Sequence, residues 1–161
     1  MTSPVHIDEC RSPGELEAVR ELFEEYQRGL GISLDFQGFE EELRGLPGAY
    51  APPRGALLIA CPGGTPAGCI ALRPCGPDGA EIKRLYVRPT WRGRGLGERL
   101  VEAAEARARA AGYRVLRLDT LASMAPAMKL YARLGFVETP PYHAATLPGM
   151  RFFRKPLEGG G

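Results

Sequence analysis

Long apolar runs are missing from this sequence. No stretch of about eighteen apolar residues occurs in its 161 residues, so nothing reads as a membrane span. A surplus of one charge is missing as well. Twenty-one Lys and Arg against nineteen Asp and Glu leave +2, whereas a protein that grips nucleic acid by bulk charge carries a larger excess. There are two histidines, His6 and His143, and four cysteines, Cys10, Cys61, Cys69 and Cys75. No Cys-x-x-Cys pair exists and no histidine stands beside a cysteine, which argues against a metal site and for free, buried thiols. Met1 to Arg11 lacks the basic start and apolar core of a secretion signal, and this points to the cytoplasm. Repeats and low-complexity blocks are lacking too.

What is present is a globular composition, 44% hydrophobic and 25% charged, too apolar for a disordered chain. The length suits one domain over residues 1–161, with a core from about 5 to 157 and a loose tail at 158–161. The 21 glycines and 15 prolines cluster between periodic segments. Val5 to Glu9 reads as a short strand. Ser12, Pro13 and Glu15 have the order of a helix start, a cap followed by proline and a glutamate three residues on. Leu16, Val19, Phe23, Tyr26 and Leu30 then recur at helical spacing, predicting a helix to about Arg28. A second helix is expected over Phe36 to Leu43. Strands are expected at Ala56–Cys61, Ala67–Leu72 and Glu81–Arg88, with turn clusters at Pro62–Pro66 and Pro74–Gly79. Leu96 to Ala111 is the clearest helix, stopped by Gly112. Tyr113–Asp119 reads as a strand, Ser123–Leu134 as a helix and Arg151–Lys155 as a last strand. The outcome is an α/β fold, a mixed and mostly antiparallel sheet with helices on both faces.

The most informative segment is Glu81 to Gly97, EIKRLYVRPTWRGRGLG. A strand runs into a glycine-rich turn that opens directly into the best helix. Unpaired N–H groups at a helix start favour an anion, and Gly93, Gly95 and Gly97 let the main chain approach it. Arg92 and Arg94 add positive charge, so a phosphate is expected here. A P-loop would need Gly-Lys-Ser/Thr, but Gly97 is followed by Glu98 and Arg99; a dinucleotide fingerprint would need a small residue where Glu98 stands.

Arg92-x-x-Gly95-x-Gly97 resembles the pyrophosphate signature of the GCN5-related N-acetyltransferases. The likeness extends to Leu85-Tyr86-Val87, to Leu130-Tyr131-x-x-Leu134-Gly135-Phe136 and to the order of elements over nearly the whole chain. The resemblance implies an acyl-CoA N-acyltransferase fold and acetyl-CoA as cosubstrate, without a metal. It implies that Arg92, Gly93, Arg94, Gly95, Leu96 and Gly97 hold the pyrophosphate. Leu85, Tyr86 and Val87 would meet the pantetheine arm, in a gap where their strand splays from Leu116–Asp119, and Tyr131 would lie near the sulfur. The family often has an asparagine seven residues before that tyrosine; Met124 stands there instead, so that side-chain contact is lost.

Transfer to an amine needs a proton acceptor, an oxyanion donor and an acid for the leaving thiolate. Tyr131 is the expected acid, with a core phenol as the alternative. Glu81, eleven residues before Arg92, is the expected base, with an ion pair to Lys83 as the alternative; strand alternation would put Glu81, Lys83, Leu85 and Val87 on one face. His143, in the Pro140-Pro141-Tyr142-His143 turn, is a second candidate base. Tyr26, Asp35 and Phe36 fall where the family covers its acceptor. Arg84 and Arg88 either meet phosphate or form a solvated face. The expected activity is direct acetyl transfer in a ternary complex to a primary amine of a small molecule or peptide, by a monomer or homodimer without nucleic acid or membrane. The alternatives are a catalytically weak acyl-CoA sensor and a nucleic-acid binder using Arg84, Arg88, Arg92 and Arg94.

Overall fold

The computed structural model describes residues 6–30, 39–143 and 149–157. Strands β1 (Ile7–Glu9), β2 (Ala56–Ala60), β3 (Gly68–Cys75), β4 (Gly79–Val87), β5 (Val115–Leu121), β6 (Val137–Glu138) and β7 (Met150–Pro156) form one sheet. Their order is β1-β2-β3-β4-β5-β7-β6. Only β4 and β5 run parallel, joined through helix α3 (Leu96–Ala110); the other pairings are antiparallel. Helices α1 (Pro13–Leu30) and α2 (Phe39–Arg44) cover one face, and α3 and α4 (Ala125–Arg133) the other.

Alternation in the sheet builds both cores. Leu58, Ile70, Leu72 and Ile82 meet Leu100, Val101 and Ala104 of α3. Leu57, Ile59, Cys69 and Ala71 meet Val19, Leu22 and Phe23 of α1 and Phe39 of α2. The start of α1 is a capping box: Ser12 Oγ accepts from the Glu15 N–H at 3.2 Å, and Glu15 Oε1 accepts from the Ser12 N–H at 3.0 Å.

Several boundaries move. α1 continues to Leu30, beyond the expected stop at Arg28. Val5, the first part of the second helix (36–38) and the tail 158–161 lie outside the described residues. The turn expected at Pro74–Gly79 shrinks to 76–78, because β3 extends through Pro74, which pairs with Ala80. Proline is tolerated there since β2 ends opposite Leu72 and requires no donor beyond it. β6 is only two residues long, held by pairing to β7, too short to leave a periodic signal.

The largest correction concerns β4. Two residues of β3, from Cys69 to Ala71, face three of β4, from Tyr86 to Lys83. The extra residue is a bulge at Arg84, whose φ is +60°. The bulge shifts the parity of the strand, so Leu85 and Val87 pack with Ile82 on the α3 face, while Tyr86 joins Cys69 and Ala71 on the α1 face. Glu81 and Lys83, opposite Arg73 and Ala71, are therefore on the other side from Leu85 and Val87, not on the same face as strict alternation predicts.

Candidate active site

Parallel pairing of β4 with β5 runs from Gly79↔Val115 to Glu81↔Arg117 and stops. Beyond it the strands diverge, and the main chain of Leu85 to Val87 on that side has no ladder partner. A cavity of about 510 Å³ opens there, lined by Leu85, Tyr86 and Val87 and by the turn residues Arg92, Gly93, Gly95, Leu96 and Gly97. Gly93 and Gly95 have φ of +77° and +78°, with open space where a Cβ would stand. Gly95 caps α3 and supplies no side-chain hydrogen bond, so the first N–H groups of the helix point into the cavity mouth unsatisfied by a cap. Gly97 differs: a Cβ there would meet Leu130 Cδ2 at 3.4 Å, an ordinary contact. Arg92 donates from Nε to the Val87 carbonyl at 2.9 Å. Arg94 lies outside the cavity lining, with its guanidinium 4.9 Å from the centre of the Trp91 ring.

The far wall of this cavity is Ser123, Met124, Pro126, Ala127 and Leu130, the start of α4. Of these, the sequence singled out Met124, as a lost contact, and Leu130, in the likeness that runs on to Tyr131. Tyr26 also lines it, packed edge-on against Tyr86 at 6.3 Å, rather than lining the second cavity described below. Asp35 and Phe36 lie outside the described residues. Tyr131 sits behind Ala127 and Leu130 at 5% exposure, its ring against Phe136 and Phe153. Burial pushes its phenol well above the ordinary tyrosine value, and Tyr26 and Asp119 push the same way. It is therefore protonated at neutral pH.

Across the bulge lies a second cavity of about 560 Å³, lined by Glu42, Arg73, Cys75, Glu81, Lys83, Arg84, Tyr142 and His143 among others. Glu81 is 2% exposed and both its oxygens are engaged. Oε1 accepts from Arg73 Nε at 2.9 Å, and Oε2 accepts from the Tyr142 hydroxyl at 2.5 Å. Burial, with Glu81 next, drives the Tyr142 phenol far up. The expected Glu81–Lys83 pair does not form; Lys83 reaches Asp119 instead, at 3.6 Å. The same Asp119 Oδ2 holds His143 Nε2 at 2.8 Å. Glu81, Asp119 and His143 bring one ligand atom each within 4.8 Å of one another, but Arg73 and Lys83 already supply positive charge there. Burial raises the thiol of Cys75 as well, so it stays protonated.

Two ion pairs tie the covering helices to β4. Arg84 donates from Nε and Nη2 to the two oxygens of Glu42 at 3.0 and 2.9 Å. Arg88 binds both oxygens of Glu25, the shortest contact being 2.6 Å, and the Tyr86 hydroxyl donates to Glu25 at 3.2 Å. Arg84 and Arg88 are thus committed to carboxylates, which removes two members of the basic cluster that a nucleic-acid binder would use. Among the described residues no helix is long and apolar enough to cross a membrane.

The sequence profile of the Acetyltransferase (GNAT) family matches residues 16–136. An uncharacterized N-acetyltransferase of Schizosaccharomyces pombe is 38% identical over 154 residues, covering 94% of both chains. A protein of Azospirillum brasilense named IAA acetyltransferase is 38% identical over 144 residues, 88% of this chain and 92% of its own. The PaiA N-acetyltransferase of Thermoplasma acidophilum, solved in complex with coenzyme A, superimposes with a TM-score of 0.74 at 20% identity, over 96% of this chain and 100% of that one. At that identity the likeness is one of fold.

Proposed function

The chain belongs to the Acetyltransferase (GNAT) family, and on that premise we propose that it transfers the acetyl group of acetyl-CoA directly to a primary amine of a small molecule or peptide. One observation carries this reading: an uncapped helix start with two open, positive-φ glycines adjoins a cavity bordered by unpaired strand backbone. An anion fits the first part and an extended amide-bearing arm the second. The crystallised PaiA neighbour holds coenzyme A, which agrees with that assignment. In this reading Gly93, Gly95, Gly97 and Arg92 receive the pyrophosphate, with Arg94 at the rim, and Leu85 to Val87 receive the pantetheine.

Tyr131 is assigned as the acid for the departing thiolate because it holds its proton, although it stands one layer behind the cavity wall; access decides the base. The amine approaches from the second cavity, and His143 paired with Asp119 takes its proton. This departs from the expectation of Glu81 as base, because both Glu81 oxygens are occupied and buried whereas His143 is 36% exposed. Glu81 then fixes Arg73 and Tyr142. A protonated Cys75 thiol favours direct attack over a covalent relay.

The test is acetyl-CoA-dependent thiol release with an amine panel, together with calorimetric titration of Gly95→Asp. Asp tolerates the left-handed backbone better than most residues and suits a helix start, so the variant is expected to fold. Its affinity for CoA is expected to fall at least about 100-fold, the worth of one or two charge-assisted hydrogen bonds. Unchanged affinity in the folded variant overturns the cofactor site; binding without turnover on any amine supports the sensor instead.

A further inference from the structure

The second cavity shows which amine it is built to take. Its charges balance: Arg73, Lys83 and Arg84 oppose Glu42, Glu81 and Asp119, the last reaching the cavity through Lys83 and His143. Arg84 is committed to Glu42 through a bidentate pair, one N–H to each oxygen. Arg73 and Lys83 are less fully engaged. Arg73 directs Nε and Nη2 to the same oxygen of Glu81, both at 2.9 Å, and among the described residues no hydrogen bond engages its Nη1. Its side chain is 40% exposed beside a carboxylate at 2%. Lys83 is 8% exposed, and among the described residues its ammonium pairs with Asp119 alone, at 3.6 Å, too far for a hydrogen bond. Among the described residues only Tyr50 Oη is a sealed side-chain polar atom without a partner, so the Lys83 ammonium opens to the cavity it lines and is available to a ligand there.

The acids stand differently. Glu81 has both oxygens filled, Glu42 is bound in a bidentate pair, and Asp119 holds His143 and Lys83. Capacity left open at this cavity is Arg73 Nη1, the Lys83 ammonium and Asp119, whose two contacts both use Oδ2. A simple cationic amine would use only the carboxylate and leave both donors open. A dianionic phosphate would leave the cavity net negative. A zwitterion leaves it neutral and fills the open donors.

Resting on the acetyltransferase reading above, we propose that the acceptor is a primary amine bearing a carboxylate, whose anion is held by Arg73 Nη1 and Lys83 while its amine faces Asp119 and His143. Lys83 Nζ lies 3.6 Å from Asp119 Oδ2, which His143 also meets, so the carboxylate and the amine stations adjoin, within reach of a small amino acid. Arg73 is in this view a specificity-determining residue, which the sequence did not single out because only strand register brings it against Glu81.

The experiment compares kcat/KM for matched acceptors with acetyl-CoA: α-amino acids, β-alanine and 4-aminobutyrate against their amides and decarboxylated amines, with taurine and phosphoethanolamine as other anions. The amides start with a chemical advantage, since their amines lose a proton more easily. The carboxylates are nevertheless expected to lead by about 10- to 100-fold, the worth of charge-assisted hydrogen bonds. Arg73→Gln is expected to raise KM for the acids and shrink that ratio; Arg73→Lys, which keeps a cation beside Glu81, is expected to retain part of the preference and guards against a folding defect. Amides or plain amines equal to the acids overturn the proposal and leave the transferase reading intact, and so does a lead for phosphoethanolamine or taurine. Absence of thiol release with every amine, although acetyl-CoA binds, overturns both.

Discussion

Asp119 lines neither cavity but links groups around both. It accepts from His143, attracts Lys83, and lies near enough to Tyr131 and Tyr26 to raise both phenols. His143 Nε2 and Asp119 Oδ2 are 2.8 Å apart, the contact by which a carboxylate orients an imidazole. If His143 is the base, His143→Gln is expected to lower kcat/KM by roughly 10²–10⁴-fold and to abolish the acidic limb of the wild-type profile, with partial recovery at high pH as the amine deprotonates unaided. Glu81→Gln is expected to keep that limb. A pH profile of kcat/KM for both variants decides: a limb lost in Glu81→Gln and kept in His143→Gln would return the base to Glu81. Tyr131 is separable from its packing in the same way. Tyr131→Phe retains the ring contacts with Phe136 and Phe153, so an acid role predicts a kcat loss of roughly 10²–10⁴-fold with little change in melting temperature. Near-normal turnover with a lowered melting temperature would make the phenol structural.

Among the elements, β4 does the positioning. Arg84 at φ +60° costs about 1–3 kcal/mol for a residue with a Cβ, and the compensation is local. Its guanidinium is clasped by Glu42 of α2 and lies 5.2 Å from the centre of the Phe39 ring. At the other end α1 is fastened to β4 by Glu25 with Arg88 and Tyr86. The Arg88 hydrogen bonds hold the Glu25 carboxyl below the ordinary glutamate value, against the opposing effect of burial. A depressed carboxylate stabilises the fold fully above its unfolded value, about 4.3, and loses that contribution as the pH falls through the folded value. Glu25→Gln is thus expected to cost about 1 kcal/mol at pH 7, roughly 2–4 °C in melting temperature, with the gap closing as the pH falls through the folded value. Thermal melts of both proteins from neutral pH down into the acid range measure it. A gap that persists unchanged in acid would mean that packing, not the ion pair, fastens α1.

In the whole molecule, the sheet sets two functions apart on its two faces. The parallel step from β4 through α3 to β5 puts the glycine turn at one mouth of the splayed strands, and the bulge turns Lys83 and Glu81 away from Leu85 toward the helices α1 and α2. The elements that the amino-acid order alone determined were those with local causes. Ser12 and Glu15 cap a helix through atoms three residues apart, Leu96 to Ala110 carries its own periodicity, and Gly93 and Gly95 announce a turn because few other residues adopt its dihedrals. The proposed cofactor cleft was legible for that reason: its loop, strand and helix are contiguous from Glu81 onward. The proposed acceptor side was not. An arginine has no propensity for positive φ, so nothing at Arg84 announced the bulge that reversed the face of every residue beyond it. Arg73 reaches Glu81 from the neighbouring strand, Asp119 reaches His143 across 24 residues and Tyr142 reaches Glu81 across 61. Such pairings depend on register and on loop closure, energies summed over the whole sheet, and only the tertiary structure decided them.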